Sequence, residues 1–423
     1  MTMKFKAFLI PLVLMGVPKL AFTTPLTSVN NFLLAAQGDL DDVNAERKAI
    51  PELGGLSSWI EDTQVRVNAA DELNTKDSTT QSYDIRIKPK AWGQREAEQK
   101  ILQLRSSQED VQYHESLNAE LSRRYAIVLE FVTQHNQTRF LLESDDLLNK
   151  QVQMNRNLVN SSEFNEENLL DVEIAFEQAK DLVDLNLHRL NDLQSQLDIS
   201  ADSKETLKTS GNAWEWLVTV PQMQEVMAQP LGPQQAPEVI KSRLELEQAR
   251  AENQYKKSTQ QLGVNLLGFK VDDSRDPKKE LQLGFLVGIN IPLGAENFQS
   301  TKSRHDIYNA RVKLHDSVYT TTQGLDEKRT KMKWLVEEWR STQKQMAKLN
   351  ERLQKDYAKT NPNLALTLQF EHAKKLKELQ DIHQEALAVY VSYLAITGQL
   401  AERPLRNWLH ADKQELQATT PQK

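Results

Sequence analysis

Two very long stretches without helix-breaking residues constrain this chain more than any other feature. Residues 94–157 contain neither proline nor glycine, and residues 297–359 contain no proline and only Gly324. Glycine and proline are the residues that a helix interior tolerates least. At a rise of about 1.5 Å per residue, each stretch would extend for about 95 Å as a helix. The sequence therefore predicts two extended helices and not one large round core.

The composition supports long helices over other fold classes. Among 423 residues there are 14 glycines and 14 prolines, and 26% of the residues are charged. A combined glycine and proline share far below the usual value of about 12% argues against sandwiches and against collagen-like or low-complexity chains. The chain holds no cysteine, which excludes disulfides, thiolate metal sites and cysteine nucleophiles. The formal net charge of −7 argues weakly against nucleic acid as a partner.

The N-terminus has the pattern of an export signal. Lys4 and Lys6 precede an apolar run over residues 7–17, which is too short to cross a bilayer as a helix. We predict a signal peptide over residues 1–23. A buried N-terminal helix is the alternative.

The chain repeats one plan twice. Each copy begins with a pair of strand-like segments, which are TQVRV (63–67) with QSYDIRIKPKAW (81–92), and LGVNLLGFKV (262–271) with LQLGFLVGINIPL (281–293). TQVRV is short for a strand that would span a membrane. A polar loop separates the members of each pair, over residues 71–80 and 272–280. Four strands bury themselves poorly as an isolated sheet, so they need a partner chain or a lipid face.

A long helix follows each strand pair, and a second helix returns after a short turn. The returns are predicted over residues 168–197 and 366–400. Apolar residues on both long helices recur at steps of three and four, as coiled-coil packing requires: Val111, Leu117, Leu121, Tyr125, Val128 and Val132 on the first, and Met332, Leu335, Trp339, Met346, Leu349 and Leu353 on the second. We divide the chain into a first repeat (24–200), a connector (201–236), a second repeat (237–400) and a C-terminal tail (401–423).

One strand shows a two-sided rhythm. Tyr83, Ile85 and Ile87 alternate with Asp84, Arg86 and Lys88. This is the pattern of a strand with lipid on one face and a wet lumen on the other. A half-buried strand in a soluble protein has the same local pattern.

Four segments together resemble the TolC-like outer-membrane efflux protein family. They are SSEFNEENLLDVEIAFEQAKDLV (161–183), APEVIKSRLELEQARAENQY (236–255), VGINIPL (287–293) and AVYVSYLAITGQL (388–400). The resemblance covers about residues 80–400 and is strongest from residue 236 onward.

The resemblance implies a mainly α fold with a small β part. Long coiled-coil hairpins would form a periplasmic α-barrel, and four strands from each of three chains would form a 12-stranded outer-membrane β-barrel. Such proteins are passive exit ducts of tripartite efflux or type I secretion systems. The implied partners are two further copies, a periplasmic adaptor (membrane fusion) protein, an inner-membrane transporter and outer-membrane lipid.

The resemblance also implies two groups of functional residues. Acidic residues after the periplasmic turns often narrow the tunnel mouth in this family. Asp171 matches such a position, and Gln369 is its counterpart in the second repeat. Glu173 and Glu371 are further candidates beside them. The turns themselves, at Asn160, Ser161, Asn361 and Pro362, would contact the adaptor. Each acidic residue could equally be an ordinary solvated helix residue.

No arrangement of residues in the sequence indicates catalysis, a cofactor or a metal site. Phosphate-binding glycine loops and the motifs G-x-S-x-G and H-E-x-x-H are absent, and the eight histidines are scattered. The sequence therefore gives no indication of an enzyme, and the family resemblance implies a channel. The alternative is a soluble periplasmic coiled-coil scaffold or adaptor derived from the same fold, which the short first strand favours.

Overall fold

The computed structural model describes most of the chain. The described residues are 25–48, 59–71, 79–159, 164–199, 207, 216–229, 232–259, 263–274, 282–291, 296–355, 362–413 and 415–416. The predicted signal peptide lies outside these ranges.

The described elements follow the predicted order of two similar halves. The first half contains α1 (Pro25–Lys48), β1 (Ile60–Asp71), β2 (Thr79–Pro89), α2 (Gln94–Asn157) and α3 (Glu166–Gln196). The second half contains α4 (Val220–Ala228), α5 (Pro237–Thr259), β3 (Gly263–Ser274), β4 (Gln282–Asn290), α6 (Glu296–Leu353) and α7 (Pro362–Thr397). The expectation of a mainly α fold with long helical hairpins and a small sheet is confirmed.

The strands form one antiparallel sheet in the order β1-β2-β3-β4. The prediction that the first strand is short was wrong, because β1 has 12 residues and pairs with β2 from Ile60 to Asp71. The predicted loops were also too long, since β3 continues through Asp272 to Ser274. Because polar residues dominate these strand ends, the alternation of apolar residues covers only part of each strand. Backbone pairing with the neighbouring strand, which propensity alone does not capture, extends both strands.

The predicted coiled-coil stripes lie partly in the core, since Trp339, Met346, Leu349 and Leu353 of α6 are only half-buried. Leu117, Leu121 and Tyr125 of α2 are buried, and so are Met332 and Leu335 of α6. The returning helices cover these stripes, because α3 packs on α2 and α7 packs on both α2 and α6. Burial of apolar side chains at a helical period is therefore what holds the long helices together.

The C-terminal segment is part of the core, although the sequence analysis assigned it only as a tail. Leu405, Trp408 and Leu409 are buried in the main apolar cluster. Asn407 is fully buried and its Nδ2 donates to Oδ1 of Asn30, at 2.7 Å. Tyr125 of α2 donates to the carbonyl of Arg406 and accepts from the backbone N–H of Trp408. The segment therefore ties α1 and α2 together halfway along the molecule.

Two histidines with lowered pKa values are expected to make the protein less stable in acid. Burial lowers the pKa of His135 in α2 to about 4, and burial also lowers the pKa of His383 in α7. The unfolded chain binds these protons at the ordinary pKa of about 6.5. Stability is therefore expected to fall as the pH drops from about 6.5 to about 4, by about 3 kcal/mol for His135.

The free energy of unfolding, measured by denaturant titration at a series of pH values, checks this expectation. His135→Gln removes one titrating group and should flatten the acid limb, leaving the part that belongs to His383. If this variant has the same pH profile as the unmodified protein, His135 is not held neutral by burial.

Candidate functional site

The four-stranded sheet has one face that is apolar across all its strands. Residues that pair across strands point to the same side of a sheet, and the observed register joins Val65 to Ile85, Ile85 to Phe269, and Phe269 to Phe285. We call this surface the apolar face, and its exposed members are Val65, Val67, Tyr83, Ile85, Leu267, Phe269, Leu283, Phe285 and Val287. The most exposed of these residues is Phe285, whose exposed fraction is 83%. Such a continuous apolar surface marks a site of contact with lipid or protein.

The opposite face of the sheet is polar and charged. We call it the charged face, and its members in register are Gln64, Arg66, Asn68, Asp84, Arg86, Lys270 and Asp272. Asp84 is only 2% exposed and its carboxylate lies 2.6 Å from Nε of Arg86. Lys270 lies 2.8 Å from the carboxylate of Asp272. The rhythm predicted for β2 therefore extends over β1, β2 and β3, whereas β4 carries Gln282, Gly284 and Leu286 on this side.

Aromatic side chains lie where the sheet meets the helices. Trp59 precedes β1 and accepts a hydrogen bond at its carbonyl from the N–H of Lys90, at 2.8 Å. Trp92 lies between β2 and α2 and is 93% exposed. Both tryptophans therefore lie at the junction between the sheet and α2, and both are exposed.

Among the described residues, no helix combines the length and the apolar character needed to cross a bilayer.

The helical end furthest from the sheet holds the predicted aperture residues. Asp171 is exposed on α3. Glu173 points elsewhere, because residues two apart on a helix lie on different faces, and its carboxylate is 2.7 Å from Nη2 of Arg156 in α2. Gln369 and Glu371 are both exposed on α7 and are also two positions apart. Within a repeat, the two predicted positions therefore do not face the same way.

The predicted turn residues are mostly outside the described residues. Asn160, Ser161 and Asn361 lie outside them, while Pro362 begins α7. Just after the first turn, Asn165 caps α3 by accepting from the backbone N–H of Asn168, at 3.2 Å. This cap fixes where the returning helix begins.

The helices at this end lie side by side in the order α3, α2, α7, α6. The order follows from the contacts of α2 with α3 and with α7, and of α7 with α6. Individual contacts agree with it, because Lys377 of α7 lies over the ring of Phe140 in α2 and Thr342 of α6 donates to Glu378 of α7, at 3.1 Å. The first helix and the last helix of this row, α3 and α6, are therefore its two edges.

No group of three or more histidine, aspartate or glutamate side chains that could hold a metal ion occurs within the described ranges.

Comparisons with known proteins identify solved structures of similar fold, all of low sequence identity. No protein-family model and no curated protein matches this chain. Among solved structures, CusC, a protein that forms a transmembrane channel, matches with a TM-score of 0.56 and 12% identity, covering 89% of this chain and 92% of its own. The CmeC outer membrane channel of Campylobacter jejuni matches with a TM-score of 0.55 and 11% identity, covering 93% of this chain and 88% of its own. A membrane protein of Pseudomonas aeruginosa matches with a TM-score of 0.55 and 13% identity, covering 88% and 93%.

These similarities extend over nearly the whole of each chain, so the chain has the fold of the TolC-like outer-membrane channels. The fold implied by the resemblance is confirmed. The sequence analysis missed one feature of the structure. As edge helices of the row, α3 and α6 each keep one face that no other helix of the row covers. Their charges are visible in the sequence, but which faces stay uncovered depends on helix packing.

Proposed function

We propose that this protein is a trimeric outer-membrane exit duct whose helices extend into the periplasm. The observation that carries the proposal is the apolar face, which is exposed across all four strands while the charged face lies behind it. An apolar surface of this extent is unfavourable in water. Lipid covers it at no cost in hydrogen bonds, and the charged face then lines a wet lumen.

The open edges of the sheet support assembly from several copies. β1 and β4 are edge strands, and unpaired backbone groups are costly inside a bilayer. If β4 of one copy pairs with β1 of the next, the edges disappear. Three copies would give the 12-stranded barrel that the family resemblance implies. The fold shared with the solved outer-membrane channels supports this arrangement, and the partners we propose are a periplasmic adaptor and an inner-membrane transporter.

The proposal is tested by fractionation followed by a conductance measurement. The protein should remain in carbonate-washed outer membranes and dissolve only in detergent. Reconstituted into a planar bilayer, it should form channels. Release into the soluble periplasmic fraction would favour the scaffold alternative instead.

We further propose that Asp171 contributes to a ring of three carboxylates at the periplasmic mouth of the duct. Like charges arranged around a narrow opening attract cations. Asp171→Asn is expected to lower the preference of the channel for cations over anions, measured as the reversal potential in a salt gradient. Glu173→Gln is the matched control, because Glu173 is paired with Arg156. An equal effect of both substitutions would contradict the assignment of Asp171.

A further inference from the structure

The edge helix α3 has an acidic outer face. Within Glu166–Gln196 there are eight carboxylate side chains and two basic ones. The residues that point away from α2 recur at steps of three and four and are exposed, and they are Leu170, Ile174, Glu177, Asp181, Leu185, His188 and Asp192. We call this surface the acidic face. Because it also carries three exposed apolar side chains, it has the composition of a surface that is covered in an assembly.

The other edge helix, α6, has a basic outer face near the same end. Residues 328–352 hold eight basic and three acidic side chains. Lys333, Lys344, Lys348 and Arg352 are exposed on the side away from α7, and we call them the basic face. Neighbouring charges are already paired, as Lys331 is with Glu385 of α7 and Arg340 with Glu337. Among the described residues, the four members of the basic face form no ion pair within their own chain.

We propose that the acidic face of one copy packs against the basic face of the next copy. Glu177 would pair with Lys348, Asp181 with Lys344, and Asp192 with Lys333. Because the two faces differ, the contact is head-to-tail and generates a closed ring when the rotation permits. The inference rests on the proposed trimeric duct and names the surfaces and charges through which its copies recognise one another.

The contacts between neighbouring helices fix the relative height of these residues. Gln134 of α2 is level with Asn186 of α3, since their side chains hydrogen bond at 2.5 Å. Glu177 precedes Asn186 by nine residues, so it is level with residue 143 of the antiparallel α2. The contact of Phe140 with Lys377 makes residue 143 level with residue 374 of α7.

The last step reaches α6. The hydrogen bond between Thr342 and Glu378 makes residue 374 of α7 level with residue 346 of α6. Glu177 is therefore level with residue 346 of α6, and Lys348 lies two residues beyond that level. In a ring whose copies share one axis, Glu177 and Lys348 of the next copy are then offset by about 3 Å along the axis. A lysine side chain readily bridges this offset.

The same steps apply to the other members of the two faces. Asp181 is level with residue 342 and Asp192 with residue 331, so Lys344 and Lys333 are each displaced by the same two residues. Three opposite-charge pairs with one common offset argue for this register over any other.

Charge reversal tests the interface. The triple variant Glu177→Lys, Asp181→Lys and Asp192→Lys makes both edges of the row basic. Because single exposed ion pairs are weak, all three are changed together. We expect the detergent-solubilised trimer to dissociate at a protein concentration about tenfold higher or more than that of the unmodified protein, measured by analytical ultracentrifugation.

Adding Lys333→Glu, Lys344→Glu and Lys348→Glu to the same chain reverses both faces and should restore the trimer. The matched control is Glu225→Lys, Glu402→Lys and Asp412→Lys, which gives the same change in charge at exposed positions halfway along the molecule. If the acidic-face variant and this control have equal effects, or if reversing both faces restores nothing, the proposed interface is wrong.

Cross-linking tests the register without depending on stability. The chain has no native cysteine, so introduced ones are unique. Asp181→Cys with Lys344→Cys should link neighbouring copies through a short bismaleimide. Within one copy these positions lie on opposite edges of four helices, about 25–30 Å apart. Glu177→Cys with Lys333→Cys is the control, because these levels differ by about 20 Å.

The outcomes separate this inference from the proposed function. A conducting trimer in which the control pair links and the designed pair does not would overturn the proposed register while leaving the duct intact. A chain that neither inserts into membranes nor forms any oligomer would overturn both.

Discussion

Phe285→Lys is expected to abolish stable insertion into the outer membrane, whereas Leu286→Lys is expected to be tolerated. Phe285 lies in the middle of β4 on the apolar face, where its ring packs edge-on against Phe269 with centroids 5.4 Å apart. A lysine on the lipid-facing side near the bilayer midplane costs about 2–4 kcal/mol. In a trimer the cost is incurred three times.

Leu286 provides a control of the same kind in the same strand. It pairs with Gly268 and belongs to the side of the sheet that carries Arg86. A lysine there would face the wet lumen and keep its hydration. The measurement is the amount of each variant that remains in carbonate-washed outer membranes, compared at equal expression. If both variants insert equally well, the apolar face does not contact lipid.

Removal of the C-terminal segment from Leu405 onward is expected to prevent folding of the helical part. The deletion takes Leu405, Trp408, Leu409 and Leu416 out of the main apolar cluster. Loss of a buried tryptophan side chain alone typically costs about 3–5 kcal/mol. The deletion also leaves Asn30 and the hydroxyl of Tyr125 without their present partners.

Point substitutions separate the apolar and polar contributions of this segment. Trp408→Ala should lower the free energy of unfolding by about 3–5 kcal/mol. Asn407→Ala should lower it by about 1–3 kcal/mol, because buried polar groups lose their partners. Asp412→Ala, at an exposed position, is the control and should change little. Thermal unfolding followed by circular dichroism measures all three, and a stable truncated protein would show that the segment is dispensable.

The long helices could be predicted from local sequence alone. A stretch such as residues 94–157, without glycine or proline and with apolar residues every three or four positions, has no other regular structure available. The two-fold repetition and the position of each strand pair followed from the same periodicities. The bounds of β1 were harder to predict, because this strand has few apolar residues at its ends.

Other features could not be predicted because they depend on which surfaces meet. Glu173 was a candidate aperture residue beside Asp171, yet the structure pairs it with Arg156 of the neighbouring helix. The burial of Asn407 requires α1, α2 and the C-terminal segment to converge. Neither contact has a signature within a few residues of the positions involved.

The sequence by itself determined the long helices, the order of strand pairs and helices, and the absence of cysteine chemistry, since each depends on residue type and local spacing. Only the tertiary structure decided that all four strands share one exposed apolar face and that the row of helices ends in an acidic and a basic edge. The physical reason is that the exposure of a side chain depends on which elements pack around it and not on the residue type alone. A carboxylate or a phenylalanine has the same local pattern whether a neighbouring element covers it or leaves it for lipid or for another copy.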